Sequence, residues 1–554
     1  MIHNQTAAVL FALATATTLA QPERTSSIAG QVLNSNTGAP LRRAAVTILL
    51  DGRDDMRGMA PTDADGHFLL RLLPAGRYRI EVSKPGYASM NYGARFPTAP
   101  GQIITLGPNE NKSGLVIRLP QLGSISGTVL AVGGAPAFGA FVQSYVRAYS
   151  GGKPVWVPAR PDYADGRGRY RIHHLSPGQY IVRATQPITP GQRSIKEASP
   201  SEKPAGQLEP APTYYPAAVA EGKAVPVELG PGGAIANVDI AIQEMMPIRL
   251  AVKAQLPAAA PTGDEPNNPG QGPPPYLIVW INPAEGASDF LQQSFALSTD
   301  RHSESRALQP GRYILSGMGR VEGRLHFARQ EVNLNGGTVE ITLPFTPGEE
   351  LRGRIRISGP SQDPLTKFQV RLRSAENMFI RLSSARVQPD GSFVIPGVPP
   401  GFWNVSVEPM PKGAYLQSVR FGDQDALAAG TLTTSSPLES LEIVISLRGA
   451  EVRGQITEGV ATVVLAAPQG ERASRLGLYA TSGVDENGRF EFTGLTPGAY
   501  RFYAFEELAP QAWADPAFLR NYPDSGTLVE LQEGPAEEIQ LKAIPGTSGR
   551  KGGR

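Results

Sequence analysis

Residues 484–502 have the sequence VDENGRFEFTGLTPGAYRF, and this stretch predicts two short strands with a turn before each. Residues 485–488 suit a tight turn, because Asp and Asn form local side-chain hydrogen bonds and Gly readily adopts a positive φ. Residues 489–492 alternate charged side chains with phenylalanine, which is the period-two pattern of a half-buried strand. Pro497 and Gly498 fit the two central positions of a type II turn. The stretch therefore predicts a hairpin with one polar face and one apolar face.

The same pattern occurs at five places in the chain. An aromatic residue follows a bend glycine by two positions in each copy, at Tyr78, Tyr180, Tyr313, Trp403 and Tyr500. A Leu or Val stands three positions before that glycine in every copy, and four copies also have an aromatic and a Gly further upstream. The third copy has Ser303 and Arg301 at those upstream positions instead. The copies lie roughly 90 to 130 residues apart, whereas solenoid repeats run about 20 to 50 residues, so we expect five tandem modules.

Length and composition limit the possible fold classes. A chain of 554 residues corresponds to three or four domains at about 150 residues each, and the repeat favours five smaller ones. The counts of Gly (61) and Pro (51) are typical of short strands joined by turns. We therefore expect an all-β protein.

Charge and cysteine content exclude several function classes. The formal net charge is +2, and no long basic run occurs outside the short C-terminal tail, so nucleic acid is not an expected partner. The chain has no cysteine, which excludes disulfides, thiol catalysis and cysteine-ligated zinc.

Residues 1–20 predict a secretory signal peptide. The run 7–20 is apolar and ends in Thr18-Leu19-Ala20, which resembles a small-residue cleavage site. Because the segment before this run carries His3 but no Lys or Arg, an apolar leader on a cytosolic protein is the alternative. No other segment approaches the roughly 18 apolar residues of a membrane span. The sequence thus predicts an exported protein, extracellular or periplasmic, with no span after signal removal.

Composition shifts predict the module boundaries. We expect β-sandwich modules one to five at 27–120, 121–245, 246–345, 346–447 and 448–545. Module two carries a long Pro-rich insertion at 186–212, and module three is degenerate, with a disordered loop at 257–275. A disordered basic tail is expected at 546–554.

The repeated motifs resemble those of the carboxypeptidase regulatory-like domain. They are an opening Gly-x-Val or Gly-x-Ile strand, an Asp-x-x-Gly-x-aromatic turn and a Leu-x-Pro-Gly-x-Tyr segment. They are clear in modules one, two and five; module four has Gln388 and Trp403 at the turn Asp and Tyr positions, and module three matches poorly. The resemblance implies a tandem array of about five transthyretin-like (prealbumin-like) or immunoglobulin-like β-sandwich modules. It also implies accessory or binding units, because the family's modules are attached to peptidases, receptor plugs and secreted bacterial proteins.

Motifs for catalysis, metal binding and cofactors are not found. None of the six His begins a His-x-x-Glu or His-Glu-x-x-His zinc motif, and neither a Gly-x-Ser-x-Gly elbow nor a P-loop occurs. Asp63-Ala64-Asp65-Gly66 resembles the start of a calcium loop, but Pro74 stands where the loop needs a bidentate Glu. His173 and His174 are neighbours on a strand, so their side chains should point to opposite faces. The sequence predicts no catalytic residue, no metal site and no cofactor.

Four aromatic residues of module two are candidate ligand contacts: Trp156, Tyr163, Tyr214 and Tyr215. They lie in Pro-rich surroundings, where an amphipathic ring at a sandwich edge can stack against a sugar or a peptide. The alternative is that Tyr214 and Tyr215 cover the edge of the module's own core.

We therefore expect a non-catalytic protein that binds a polysaccharide or a surface protein at the bacterial cell envelope. One alternative is a hydrolase that acts on carbohydrate or peptide through the loops of module two or three. Another is a structural spacer, which would be rigid and elongated. No feature of the sequence indicates an oligomeric state.

Overall fold

The structure is a computed structural model that describes residues 26–51, 56–97, 99–150, 153–186, 208–246, 248–257, 276–284, 293–298, 303–304, 308–321, 324–359, 364–375, 384–435, 438–509, 511–534 and 536–546. The predicted signal peptide lies outside these residues, as do residues 187–207 of the insertion, 258–275 of the module three loop and 547–554 of the tail. No helix in the described part of the chain is long and apolar enough to cross a membrane.

Module one consists of two sheets around an apolar core. One sheet has the order β4-β1-β8, and the other has the order β3-β2-β5-β6, with β7 also paired to β5. The strands are β1 (Ser26–Asn34), β2 (Ala45–Leu50), β3 (Met56–Pro61), β4 (His67–Leu73), β5 (Gly76–Ser83), β6 (Met90–Asn91), β7 (Ile104–Leu106) and β8 (Asn111–Leu119).

Module two has the same two sheets and an additional short strand pair. The sheets are β12-β9-β17, with β18 on β9, and β11-β10-β13-β15, with β16 on β13. Its strands are β9 (Gly123–Leu130), β10 (Phe141–Ser150), β11 (Lys153–Tyr163), β12 (Arg169–Leu175), β13 (Gly178–Thr185), β14 (Glu209–Pro210), β15 (Thr213–Tyr214), β16 (Val227–Leu229), β17 (Ala234–Ile235), β18 (Ile240–Ala241) and β19 (Glu244–Met245). A 3₁₀ helix occupies Glu221–Lys223. The described end of the predicted insertion forms β14, which pairs with β19.

Module three is also a two-sheet unit, although its sequence diverges. Its sheets are β23-β20-β26 and β22-β21-β24-β25-β27. The strands are β20 (Arg249–Gln255), β21 (Tyr276–Pro283), β22 (Gln293–Ser298), β23 (Ser303–Glu304), β24 (Gly311–Val321), β25 (Arg324–Leu334), β26 (Thr338–Pro344) and β27 (Thr346–Pro347).

Module four has sheets β31-β28-β36-β33-β34 and β30-β29-β32-β35. It contains β28 (Glu349–Ser358), β29 (Gln369–Ser374), β30 (Ala385–Arg386), β31 (Ser392–Val398), β32 (Gly401–Glu408), β33 (Tyr415–Phe421), β34 (Gln424–Asp425), β35 (Leu432–Thr434) and β36 (Leu441–Ser446). A 3₁₀ helix at Leu365–Lys367 and the short helix α1 (Ala426–Ala429) complete it.

Module five joins its two sheets through one strand. The order is β39-β38-β41-β43-β37-β40, with β42 on β41. Its strands are β37 (Ala450–Glu458), β38 (Val463–Pro468), β39 (Ala480–Gly483), β40 (Arg489–Leu495), β41 (Gly498–Phe505), β42 (Thr527–Leu531) and β43 (Glu537–Ile544). Helix α2 (Pro516–Arg520) and 3₁₀ helices at Gly470–Ser474, Leu476–Leu478 and Ala512–Ala514 lie between strands.

All five modules share the same central strand pairings, which confirms the predicted fold class. The first strand pairs antiparallel with the strand before the glycine bend and parallel with a late strand, as β1 does with β4 and β8. The strand after the bend pairs in the other sheet, as β5 does with β2. Each module has its own cluster of buried apolar side chains. Module three follows this plan, with β20 between β23 and β26.

The predicted hairpin around Pro497 and Gly498 is wrong. β40 pairs with β37, whereas β41 pairs with β38, so the glycine bend carries the chain from one sheet to the other. Gly498 has φ 128° instead of the value near +80° that a type II turn requires. The prediction failed because both strands face the same core. Apolar and polar side chains therefore alternate in the same way whether the two strands are hydrogen-bonded in one sheet or face each other in two sheets.

The turn predicted before β40 is confirmed. Gly488 has φ 75°, and Asp485 Oδ1 accepts hydrogen bonds from the backbone N–H groups of Asn487 and Arg489 at 2.9 and 2.7 Å. Asp165 of module two accepts the same pair of bonds from Arg167 and Arg169. The aspartate recurs because its carboxylate accepts hydrogen bonds from backbone N–H groups that the turn would otherwise leave without a partner.

The repeated aromatic ring fixes the glycine bend. In three modules the Tyr hydroxyl donates to the backbone carbonyl four residues earlier: Tyr78 to Pro74 at 2.8 Å, Tyr180 to Ser176 at 2.7 Å and Tyr313 to Gln309 at 2.9 Å. Trp403 is buried at the equivalent place and donates from Nε1 to Thr434 Oγ1 at 3.0 Å. The ring is buried in the module core while its polar atom binds at the bend.

Candidate functional site

The larger sheet of module two has an outer face rich in aromatic residues. Along β10, Val142 and Val146 pack with the module core, so the alternating residues Phe141, Gln143 and Tyr145 lie on the opposite face. The register pairs Phe141 with Tyr163 of β11 and Gln143 with Arg183 of β13. We call this surface the outer face of module two.

One half of the outer face is covered. Tyr145, Ile181 and Tyr214 form a separate buried cluster, with Tyr145 2% and Tyr214 4% exposed. Trp156, Ala218 and Ala224 pack against this cluster. The last two belong to the loop that follows β15, so this loop shields the rings from solvent.

A cation and a carboxyl group lie at the covered cluster. The Arg183 guanidinium is 5.3 Å from the centre of the Tyr145 ring and 6.0 Å from that of Tyr214, which are cation–π distances. Burial raises the pKa of Glu221 in the covering loop to about 7, and the Arg183 charge opposes this rise. Burial also raises the pKa of both tyrosines.

The other half of the outer face is open. Tyr163 is 61% exposed, and its ring centre lies 5.3 Å from that of Phe141, with the ring planes tilted by 59°. Tyr163 lies at the edge of the sheet, because β11 is its outermost strand, and Phe141 lies beside it on β10. Trp156 is half-buried further along β11, where it packs against the covered cluster opposite Arg147.

The structure therefore brings three of the four predicted residues to one face. Trp156, Tyr163 and Tyr214 lie on the outer face, whereas Tyr215 packs against the module core. Adjacent strand residues point to opposite sides, which separates Tyr214 from Tyr215. Whether these rings bind a ligand stays a prediction. Sequence reasoning missed Phe141 and Tyr145, although their alternation with Val142 and Ser144 could have indicated a second apolar face.

The polar motifs that resemble metal sites have other roles. Asp63 Oδ1 accepts from the backbone N–H groups of Asp65 and His67 at 3.0 and 2.8 Å, as in an Asp turn. The rings of His173 and His174 lie 6.2 Å apart because His174 has φ 60°, which breaks the strand alternation that we expected there. Among the residues that the structure describes, no group of three or more His, Cys, Asp or Glu could hold a metal ion.

Comparison with known proteins identifies the first module. Residues 27–119 match the family model of the carboxypeptidase regulatory-like domain, which confirms the resemblance for this part of the chain. No curated protein matches the chain.

Several solved structures match the chain at low similarity. The TIE protein of Bacillus anthracis has 11% identity and a TM-score of 0.16, covering 75% of this chain and 72% of its own. The minor pilin GBS52 of Streptococcus agalactiae has 15% identity and a TM-score of 0.23, covering 44% of this chain and 100% of its own. The shaft pilin SpaA of Lactobacillus rhamnosus GG has 10% identity and a TM-score of 0.19, covering 40% and 96%. Likeness at this level carries no inference about function.

Proposed function

We propose that the chain is an exported, non-catalytic binding protein of the cell envelope and that the open part of the outer face of module two contacts its ligand, a polysaccharide. The observation that carries this proposal is the exposed Tyr163 ring supported by Phe141. Phe141 limits the freedom of the Tyr163 ring, so stacking costs less conformational entropy than it would for an isolated surface tyrosine.

A polysaccharide suits this surface for two reasons. Sugar rings present flat C–H faces that pack on aromatic rings, and Tyr163 adds a hydroxyl that can hydrogen-bond at the ring edge. Polar side chains lie further along the same face, where Arg147 donates to Gln179 at 2.9 Å. A protein ligand is the competing outcome, and the experiment below distinguishes it.

The hydrolase alternative receives less support from this surface. Glycosidases use two carboxyl groups placed across a cleft. At the covered cluster the carboxyl group of Glu221 is largely buried and has the cation Arg183 as its charged neighbour. Its charged neighbour is thus a cation and not the second carboxyl group that glycoside hydrolysis requires.

The experiment is a pull-down of insoluble envelope polysaccharides with the mature chain and with Tyr163→Ala. We expect Tyr163→Ala to lower the affinity about tenfold, since a sugar face that covers roughly 55 Å² of the apolar ring surface contributes about 1.4 kcal/mol. Phe402→Ala is the matched control, because Phe402 is also an exposed strand aromatic, at 42%, but lies in module four.

Three results would contradict the proposal. Binding that is unchanged in Tyr163→Ala would place the contact elsewhere. Binding that survives glycosidase treatment but not protease treatment of the envelope would indicate a protein ligand. Release of soluble sugar by the chain would revive the hydrolase alternative.

A further inference from the structure

The first and last modules contact each other, although about 380 residues of chain separate them. The backbone N–H of Ile103 donates to the carbonyl oxygen of Val484 at 3.1 Å, and Ile103 forms a parallel bridge with Asp485. All three residues are buried, with exposures of 5% or less. A Cβ atom at Gly483 would lie 2.8 Å from Ile103 Cδ1, so the glycine lets the Ile103 side chain pack closely against module five.

Ion pairs surround this contact, and in all of them the positive charge is on the same module. Module one supplies the cations and module five the carboxylates: Lys112 pairs with Glu486, Arg95 with Glu506, and Arg95 also lies 3.8 Å from Glu507. Arg77 adds a fourth, weaker approach to Glu491 at 4.0 Å. The carboxylate side chains are about one-fifth to one-quarter exposed, so solvent screens them less than it screens pairs on an open surface.

Neighbouring modules also contact each other along the whole chain. Asn36 Nδ2 of module one donates to Pro231 O of module two at 2.7 Å, and Arg249 of module three pairs with Glu209 of module two at 2.7 Å. Between modules three and four, a Cβ atom at Gly397 of β31 would lie 3.4 Å from Leu325 Cδ1 of β25, so these two strands are in close contact. Tyr415 of module four donates to Glu533 of module five at 2.8 Å. The contact between modules one and five therefore closes a ring.

From these contacts we infer that the chain is a closed ring of five modules in solution and that the cationic surface of module one holds the acidic turn of module five as an electrostatic latch. The short connections between modules keep the two surfaces at a high effective concentration, which favours pairing within one chain over pairing between chains. Since part of the attraction is between charges near water, the latch weakens as salt screens them.

Closure has a consequence for module two. The strand β11, which carries Trp156 and Tyr163, lies against the 3₁₀ helix Ala512–Ala514 of module five. Opening the latch frees module five to move away from this strand. The latch therefore sets how much of the edge of module two is accessible to a partner.

The test measures molecular dimension and mass together, by small-angle scattering with light scattering on the full mature chain. Five modules end to end would extend about 150 Å, since a nine-residue strand such as β1 spans about 30 Å. We expect the maximum dimension to be clearly shorter than this at low salt and to increase at high salt, with the mass remaining that of a monomer.

Charge reversal tests the latch itself. Lys112→Glu and Glu486→Lys should each increase the maximum dimension at low salt, and the double variant should restore the compact form, because opposite charges again face each other. Arg95→Glu is a second, independent variant. The pair Lys542–Glu458, at 2.8 Å within module five, is the matched control, and its reversal should leave the dimension unchanged. Thermal unfolding verifies that each variant is folded.

Each other outcome overturns the inference. An elongated wild-type chain at low salt would disprove closure. A compact chain that responds neither to salt nor to charge reversal would disprove the electrostatic latch. A mass that increases with protein concentration would show that the two surfaces pair between copies, head to tail, instead of within one chain.

Discussion

At the scale of single residues, the repeated tyrosine combines two roles. In modules one, two and three its ring belongs to the module core and its hydroxyl donates to a carbonyl at the bend between the two sheets, whereas Tyr500 donates to the Leu478 carbonyl. Tyr180 shows both features: it is 2% exposed, and burial raises its hydroxyl pKa to about 12. The aromatic at this position is therefore more than a space-filling group.

Tyr180→Phe should lower the free energy of unfolding of module two by about 1 kcal/mol, the usual net value of one hydrogen bond, because the Ser176 carbonyl loses its donor while the ring still fills the core. Hydrogen exchange measures this loss of stability, and peptides from β10 and β13 should exchange about fivefold faster in the variant. Tyr163→Phe, at an exposed hydroxyl, is the control. Equal effects of the two substitutions would show that the buried hydroxyl has no special contribution.

Glu221 makes the covering loop of module two sensitive to pH. Its pKa rises from 4.5 to about 7 in the folded state, so between these values the closed loop holds a proton that an open loop releases. The stabilisation of the closed loop is therefore fully present below pH 4.5 and is lost as the pH rises through 7. Hydrogen exchange of residues 213–229, corrected for intrinsic rates, should show weaker protection at pH 8 than at pH 5.

Glu221→Gln should remove this dependence and should protect the loop at pH 8, because the neutral amide needs no proton to remain buried. Glu228→Gln, an exposed carboxylate on the neighbouring strand β16, is the matched control and should retain the wild-type profile. A wild-type loop with equal protection at pH 5 and pH 8 would contradict this prediction.

At the scale of elements, an aromatic ring on the neighbouring strand explains why the opening strand of a module contains a glycine. Gly454 of β37 lies directly opposite Phe490 of β40, and a Cβ atom there would lie 2.4 Å from the Phe490 ring. Gly353 and Phe393 form the equivalent pair in module four, with a distance of 2.3 Å. An aromatic ring that covers a cross-strand glycine pins the register of the two strands.

Gly454→Ala should lower the free energy of unfolding of module five by about 1–3 kcal/mol, the usual range for overpacking a core, because the backbone carbonyl of Ile539 also lies within 2.5 Å of the new methyl group. Gly477→Ala in the same module is the control, since no atom lies within 4 Å of its added methyl group. Chemical denaturation followed through Trp513 of module five reports the difference. A stability loss shared by both variants would count against the ring-over-glycine explanation.

At the scale of the whole molecule, the contact between the first and last modules does not fit the elongated spacer that the sequence left open as an alternative. The repeat predicted the number of modules, but adjacent modules could have formed a rod equally well. Closure depends on the particular charges of two modules, such as Lys112, which lies outside the repeated motifs, and Glu486, which occupies a variable position of the repeated turn.

Local chemistry was sufficient to predict the fold class, the Asp turns and the five modules, because the alternation of apolar and polar residues and the conformations of turn residues depend on only a few neighbouring positions of the chain. It was not sufficient for strand partners: the alternation of Phe490 and Phe492 indicates a face but not the strand beside it, so the hairpin prediction failed. The same limit applies to the candidate site. Tyr214 and Tyr163 have similar Pro-rich surroundings in the sequence, yet one is buried beneath a loop and the other faces solvent, because exposure depends on residues that are distant along the chain.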